Sequence, residues 1–117
     1  MVTEFALYDD LDPECLTGGI DFHGIGYHRL SQYCHQQDLR VLADVHTHPG
    51  TGVGQSLIDS SHPMIARAGH VALIVPNFAM GKIRSRDVGV HSYRADQGWD
   101  TWRNGQAARR LYIGRWP

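Results

Sequence analysis

VLADVHTHP, residues 41–49, predicts a β-strand that ends in two histidines. Residues 39–45 are almost continuously apolar, which is typical of a strand that is buried on both faces. Since residues i and i+2 of a strand point to the same face, His46 and His48 should present their imidazoles side by side. Pro49 cannot donate to a ladder and a glycine-rich loop follows it, so we expect the strand to end there.

A third metal ligand is available just beyond this loop. Ser56 is a typical N-cap residue for a following helix, and Asp59 stands three residues later. From the first turn of that helix, a carboxylate can turn back toward the end of the strand. Two imidazoles and one carboxylate suit zinc and leave a fourth position for water, whose pKa a bound zinc ion lowers toward neutrality. We therefore predict a Zn²⁺ site formed by His46, His48 and Asp59.

Length and composition fit a single globular domain over residues 1–117, with 42% hydrophobic and 20% charged residues. The formal net charge of −1 gives no argument for a nucleic acid or an anionic membrane as partner, and we expect neither. No apolar run reaches the roughly 20 residues that a membrane-spanning helix needs, and the acidic opening is unlike a signal peptide. Two cysteines are too few for a disulfide framework, so we expect a cytoplasmic protein; its oligomeric state is left open.

The apolar periodicity predicts a mixed central sheet flanked by two helices, an α/β or α+β fold. One amphipathic helix, residues 27–37, precedes the histidine strand. The second helix begins at Ser56, is interrupted at Pro63 and stops at Gly69. The remaining predicted strands are residues 4–8, an irregular or edge strand at 16–25, a strongly buried strand at 70–75, residues 88–93 and a short last strand at 111–113.

Several enzyme families place two histidines in this way. Metallo-β-lactamase-like enzymes follow the pair with Asp-His, and cupins need a glutamate a few residues later; this chain offers neither. The stretch from Asp44 to Pro49 looks much like the first-strand motif of the amidohydrolase barrels. Such a barrel needs roughly 250 residues, whereas 69 residues follow His48 in this chain, so length rejects the barrel unless the chain is a fragment.

The spacing His46-x-His48, seven residues, Ser56-x-x-Asp59, with Pro49 after the second histidine, resembles the signature of the JAMM (JAB1/MPN/Mov34) metalloproteases, and in particular their short prokaryotic JAB-type members. The motif covers 14 residues, from 46 to 59. The resemblance implies a cytidine-deaminase-like JAB/MPN architecture and a zinc-dependent protease or isopeptidase. It also implies a substrate, the C-terminal tail of a ubiquitin-like protein or its conjugate, with the glycine-rich loop as one wall of the groove.

The same resemblance assigns roles to the matching residues. His46, His48 and Asp59 would bind zinc, and Ser56 would donate a hydrogen bond to the oxyanion of the tetrahedral intermediate. A structural alternative is a capping box, in which Ser56 caps the helix and Asp59 reciprocates. We expect metal binding and capping to exclude each other for Asp59, but not for Ser56.

The family also requires a glutamate upstream that accepts a proton from water and passes it to the leaving amine. Glu4 and Glu14 are the two glutamates of the chain, and Glu4, which opens a predicted strand, is our candidate for this general base. Only 42 positions separate Glu4 from His46, a short interval for the family's hairpin and helix. The alternatives are Glu14, or a noncatalytic MPN-like assembly module without a base. The other histidines show no ligand spacing, and we predict surface or core roles for them, His70 and His91 included.

Overall fold

The computed structural model describes residues 2–16 and 19–114. The chain divides into two compact units, Met1–Leu42 and Ala43–Pro117. The first unit is helical and the second contains the sheet, and together they confirm the predicted mixed α/β class. The expectation of one JAB/MPN-type domain over residues 1–117 stays a prediction. In the described part of the chain, no helix is long and apolar enough to cross a membrane, and the cytoplasmic location stays a prediction.

The first unit contains two helices, α1 (Tyr8–Leu11) and α2 (Gly24–Gln37). α2 confirms the predicted amphipathic helix and begins three residues earlier than expected. It ends at Asp38, whose φ of 53° is in the left-handed region and whose N–H bonds back to the carbonyls of Cys34 and His35. This reversal satisfies carbonyls that the last turn of a helix leaves without partners.

The strand predicted at residues 4–8 is wrong. No strand forms there, and α1 begins at Tyr8 instead. Asp9 and Asp10 lie in the first turn of α1, where negative charge is favourable because the N–H groups of that turn point outward unpaired.

The irregular strand predicted at residues 16–25 is also absent from the described residues, where Leu16 and Ile20 form only an isolated bridge. The hydrogen bonds of this segment are made by a buried carboxylate instead of by strand pairing. Asp12 accepts hydrogen bonds from the backbone N–H groups of Glu14 (3.2 Å) and His23 (2.8 Å), and the His23 ring lies 2.7 Å from the same carboxylate. The Asp12 side chain therefore connects the turn at Glu14 to the start of α2 at His23.

The second unit contains a four-stranded sheet in the order β1 (Ala43–Thr47), β2 (Val71–Val75), β3 (Gly89–Tyr93) and β4 (Trp99–Trp102). β1 and β2 are parallel, and the two remaining pairs are antiparallel. The connection from β1 to β2 carries the short helix α3 (Leu57–Ser61), and α4 (Asn104–Ala108) follows β4. Three predicted strands, at 39–45, 70–75 and 88–93, correspond to β1, β2 and β3.

The core of this unit lies along β2 and β3. Ala72 and Ile74 alternate with more exposed residues on β2, and Val88 and Val90 are buried beside them. β1, in contrast, is an edge strand in which every residue is at least partly exposed, with Val45 at 49%. The expectation that this strand is buried on both faces was therefore wrong.

The end of the chain differs from the sequence prediction. β4 was missed, because Gly98 was taken with Trp99 as a turn. The turn covers residues 95–98, where Gly98 has a φ of 80°, and Trp99 is already the first residue of β4. The strand predicted at residues 111–113 does not form. The second helix is also shorter than predicted: α3 ends before Pro63, and residues 64–68 are not helical.

Candidate metal centre

β1 brings the two histidines together. His46 lies on β1 and His48 follows its last residue, where the ladder continues because His48 N–H donates to the Val75 carbonyl (2.9 Å). The Nε2 atoms of His46 and His48 are 3.2 Å apart. The two imidazoles thus share one face of the strand, as the alternation of side chains predicts.

α3 supplies a carboxylate to the same place. Oδ2 of Asp59 lies 3.5 Å from His46 Nε2 and 3.4 Å from His48 Nε2. Among the described residues, these three form a group of side chains able to hold a metal ion. A zinc ion bound tetrahedrally at about 2.0–2.1 Å would hold its ligand atoms about 3.3 Å apart. The observed triangle matches that spacing, so the donor set fits zinc in both chemistry and size.

The group is open on one side. The side chains of His46, His48 and Asp59 retain 15%, 24% and 23% of their exposure. All three side chains are thus partly accessible to solvent, and three protein ligands would leave the fourth position of a tetrahedral zinc ion open. An open position of this kind distinguishes catalytic from structural zinc sites.

A backbone carbonyl fixes the orientation of one imidazole. His48 Nδ1 lies 3.1 Å from the carbonyl oxygen of Gly52, which can only accept a hydrogen bond. The Nδ1 atom of His48 therefore carries the proton, and in the neutral ring the lone pair is on Nε2, facing His46 and Asp59. Metal-binding histidines are oriented in the same way by hydrogen bonds from their second nitrogen.

Asp59 takes part in a complete capping box. Its carboxylate Oδ2 accepts the N–H of Ser56 (2.9 Å), while the Asp59 N–H donates to Ser56 Oγ (3.0 Å). The oxygen that caps is also the oxygen that faces the two histidines. This geometry does not require capping and metal binding to exclude each other for Asp59, because one carboxylate oxygen has lone pairs for both an N–H group and a cation.

The charge of Asp59 is stabilised where it stands. Burial raises the pKa of its carboxyl group, but the hydrogen bonds from the Ser56 backbone and side chain, together with the nearby imidazoles of His46 and His48, outweigh that effect and leave the pKa below its ordinary value. The carboxylate is therefore ionised at neutral pH, as a metal ligand must be.

Capping does not use the hydroxyl proton of Ser56. Its Oγ accepts the Asp59 N–H with an oxygen lone pair, and the hydroxyl proton, which can be donated to the Asp59 carboxylate, can turn to another acceptor by rotation about the C–O bond. Ser56 stands directly before α3, so the hydroxyl that caps the helix is carried by the same turn as the Asp59 carboxylate. Capping therefore does not compete with hydrogen bonding to a substrate.

Glu4 and Glu14 both belong to the first unit. The Glu4 carboxylate is exposed and accepts a hydrogen bond from the Tyr33 hydroxyl, which raises the pKa of Tyr33. Glu14 is exposed in a turn, where its N–H donates to Asp12. The general-base role of Glu4, and the alternative of Glu14, stay predictions.

A left-handed turn after β2 holds the start of the loop that joins the histidines to α3. Asn77, Phe78 and Ala79 have φ values of 54°, 52° and 60°. The N–H groups of Asn77 and Phe78 donate to the carbonyls of Gly50 (2.9 Å) and His48 (2.8 Å). Three consecutive left-handed residues are strained, and such strain persists only where the surroundings enforce it.

Sequence reasoning missed this turn and the part played by His91. The sequence does not indicate the left-handed turn by a glycine, because its three residues are Asn, Phe and Ala. The position of His91 in the middle of a predicted strand could have indicated this role, because a polar side chain that is buried there needs hydrogen-bond partners.

No family model matches the chain. Over 73 residues the chain is 30% identical to "Probable metalloprotease y4jG" of Sinorhizobium fredii (strain NBRC 101917 / NGR234). The matched stretch is 62% of this chain and 44% of that protein, so the chain corresponds to less than half of its relative. The chain is thus similar, over the matched stretch, to a probable metalloprotease and has a His/His/Asp group that could hold a metal ion.

Proposed function

We propose that this chain is a zinc metallopeptidase of the JAMM type. The observation that carries the proposal is the triangle formed by the Nε2 atoms of His46 and His48 and Oδ2 of Asp59, with edges of 3.2, 3.4 and 3.5 Å. Its size suits tetrahedral zinc, and its motif spacing is that of the JAMM signature. The similarity to a probable metalloprotease supports the same conclusion.

The residues of the site divide the work of amide hydrolysis. His46, His48 and Asp59 would hold the zinc ion, which when bound supplies a Lewis acid for the scissile carbonyl and for water. The hydroxyl of Ser56 would donate to the oxygen that becomes negative when the carbonyl is attacked. The Ser56 N–H, already engaged with Asp59, keeps the carboxylate turned toward the two imidazoles.

Proton transfer requires a further group. We assign to the Glu4 carboxylate the task of taking a proton from the attacking water and giving it to the leaving amine. If neither Glu4 nor Glu14 transfers the proton, the second candidate function applies, that of a noncatalytic MPN-like module. The complete triangle favours the enzyme, since an assembly module has no need of three converging ligand atoms.

The proposed substrate is an amide or isopeptide bond at the C-terminal tail of a ubiquitin-like protein. The motif supports this class through its resemblance to the JAMM family. Apolar side chains flank the site as well: Leu57 and Ile58, which follow Ser56 on α3, are 83% and 72% exposed. Contact with an extended tail would cover this apolar surface.

Metal content tests the proposal first. Wild-type protein purified from zinc-supplemented medium should contain about one zinc ion per chain by elemental analysis, and His46→Ala should contain little. The matched control is His35→Ala, which alters a histidine of α2. Zinc-free wild-type protein would refute the proposal that the chain is a zinc metallopeptidase.

Activity distinguishes the two candidate functions. A fluorogenic amide of a ubiquitin-like tail should be cleaved by the zinc-loaded wild type. Glu4→Gln should lose cleavage and keep its zinc, because Glu4 is not one of the three ligands. Full zinc content without cleavage in the wild type would favour the binding module, and full activity in Glu4→Gln would remove Glu4 from the mechanism.

A further inference from the structure

His91 is a buried histidine in the middle of β3, 1% exposed. Both ring nitrogens have partners: Nε2 lies 2.9 Å from the carbonyl oxygen of Val53, and Nδ1 lies 3.0 Å from Thr101 Oγ1 on β4. The Val53 carbonyl can only accept, so Nε2 carries the proton and Nδ1 accepts the Thr101 hydroxyl. The ring thus joins β3 and β4 to residue 53 of the loop.

The neutral ring that these bonds require is also the form that its environment favours. Burial is the largest influence and lowers the pKa of His91, the bond to Val53 raises it, and the nearby guanidinium of Arg103 lowers it. His91 therefore acts at neutral pH as an uncharged hydrogen-bonding residue.

Gly89 makes room for the same contact. It precedes His91 by two residues, so a side chain at position 89 would point to the same face of β3 as His91. A Cβ atom at position 89 would lie 2.1 Å from the Val53 carbonyl oxygen and 3.0 Å from Val53 Cβ. Only a residue without a side chain lets the loop approach β3 closely enough for the bond to His91.

Val53 stands in the loop that leads from His48 to Ser56. The start of this loop is fixed by the left-handed turn, through the carbonyls of His48 and Gly50. Glycines at positions 50, 52 and 54 give the rest of the loop little stiffness of its own. The bond from His91 holds the loop three residues before Ser56, next to the bond between His48 and Gly52. It therefore fixes the part of the loop that leads into Ser56, while Trp99 Nε1 donates to the Ser60 carbonyl at the other end of α3.

We propose that His91 is a positioning residue, which places Ser56 and Asp59 against the two histidines of β1 by holding the Val53 carbonyl. It acts through the loop, by its bond to the Val53 carbonyl. The catalytic consequence rests on the proposed function, whereas the structural one does not. In the metal-free chain, His91 should already be needed to keep the Ser56–Asp59 capping box in place.

Three full-chain variants test this assignment. His91→Leu keeps an apolar side chain in the core and removes the donor to Val53. His91→Gln is the rescue variant, because its amide nitrogen can donate to Val53 and its amide oxygen can accept from Thr101. Gly89→Ala keeps the His91 side chain, but its Cβ would lie 2.1 Å from the Val53 carbonyl oxygen and 2.9 Å from His91 Nε2, so it separates the two partners of the bond and should reproduce the effect of His91→Leu.

Two readouts keep failure of this inference distinct from failure of the proposed function. Amide hydrogen exchange at Ser56 in metal-free protein reports on the capping box, because that N–H donates to Asp59. We expect it to be about tenfold faster in His91→Leu and Gly89→Ala, and near wild type in His91→Gln. The zinc Kd, measured by competition with a chromophoric chelator, should rise about tenfold in the same two variants, within the range seen when residues supporting metal ligands are changed.

The outcomes decide in both directions. Folded His91→Leu with unchanged Ser56 exchange and zinc Kd would overturn the positioning role. If His91→Leu does not fold, Gly89→Ala and His91→Gln decide by the same two measurements. If the wild type binds no zinc, the proposed function fails, and the exchange measurement alone decides on His91.

Discussion

Asp59→Asn separates the two roles of Asp59. The asparagine oxygen can still accept the Ser56 N–H, so the start of α3 keeps its cap in the metal-free protein. The negative charge that faces His46 and His48 is lost, and the amide is a poor ligand for zinc. We therefore expect metal-free Asp59→Asn to lose only the stabilisation that the lowered pKa of the carboxylate provides, and to differ from the wild type much more once zinc is added.

The size of the difference follows from binding to the folded state alone. Zinc at a free concentration 100 times the wild-type Kd adds about 2.7 kcal/mol to the free energy of unfolding. For a chain of this length, that corresponds to a rise in Tm of about 10 °C. If Asp59→Asn weakens binding by about 100-fold, the same zinc concentration adds only about 0.4 kcal/mol, a rise of roughly 2 °C.

Thermal unfolding followed by circular dichroism, with and without zinc, measures both quantities. Ser56→Ala is the matched control, because it removes the hydroxyl that accepts the Asp59 N–H and keeps the ligand. It should lower the metal-free stability by about 1 kcal/mol and still respond strongly to zinc. A full zinc-induced rise in Asp59→Asn would show that its carboxylate is not a ligand, and the metal site as drawn would be wrong.

Three further predictions concern catalysis, pH and backbone strain. Ser56→Ala should lower kcat of the zinc-loaded peptidase about 10²–10³-fold, since it removes an oxyanion donor; steady-state kinetics on the fluorogenic amide measures this, and unchanged kcat would remove Ser56 from catalysis. In the first unit, the side-chain hydrogen bond to Asp12 raises the pKa of His23 despite the opposing effect of burial, so its stabilisation is complete below about pH 6.5 and is lost as pH rises through the raised pKa. Urea unfolding from pH 6 to 9 should therefore show stability falling more steeply in the wild type than in His23→Gln, and equal slopes would contradict the pairing. Ala79→Gly should stabilise the chain by about 1 kcal/mol, because glycine adopts the left-handed conformation without strain; a destabilised variant in the same urea assay would argue against that conformation.

The parts of the site that the sequence predicts are local ones. His46 and His48 are two residues apart on a strand, and Asp59 lies in the first turn of a helix whose cap, Ser56, precedes it by three residues. In each case the side-chain direction follows from the periodicity of the element, so spacing alone puts the two imidazoles on one face and Asp59 in the first turn of the helix. The capping box was also visible as a pattern, although its compatibility with metal binding depended on the placement of one oxygen.

The parts that the sequence did not predict depend on distant residues. The bond between His91 and Val53 joins positions 38 apart in the chain, and no spacing rule connects them. β4 was missed because its Trp-Asp-Thr-Trp run is too short to distinguish from the turn before it. Glu4 was placed on a strand by a run of apolar residues, whereas residues 2–7 form neither strand nor helix and α1 begins at Tyr8, with Asp9 and Asp10 in its first turn.

Because α3 is short, its folding should depend on whether the proposed zinc ion is bound. A helix of five residues does not persist by its own hydrogen bonds, and the capping box is its main local support. An ion shared by Asp59 and the two histidines would tie the helix to the edge strand of the sheet, so loading and local folding would become one event. Chains lacking the ion would open first between residues 50 and 62. Limited proteolysis would then cut empty molecules there and spare loaded ones, a difference on which a cell's quality control could act.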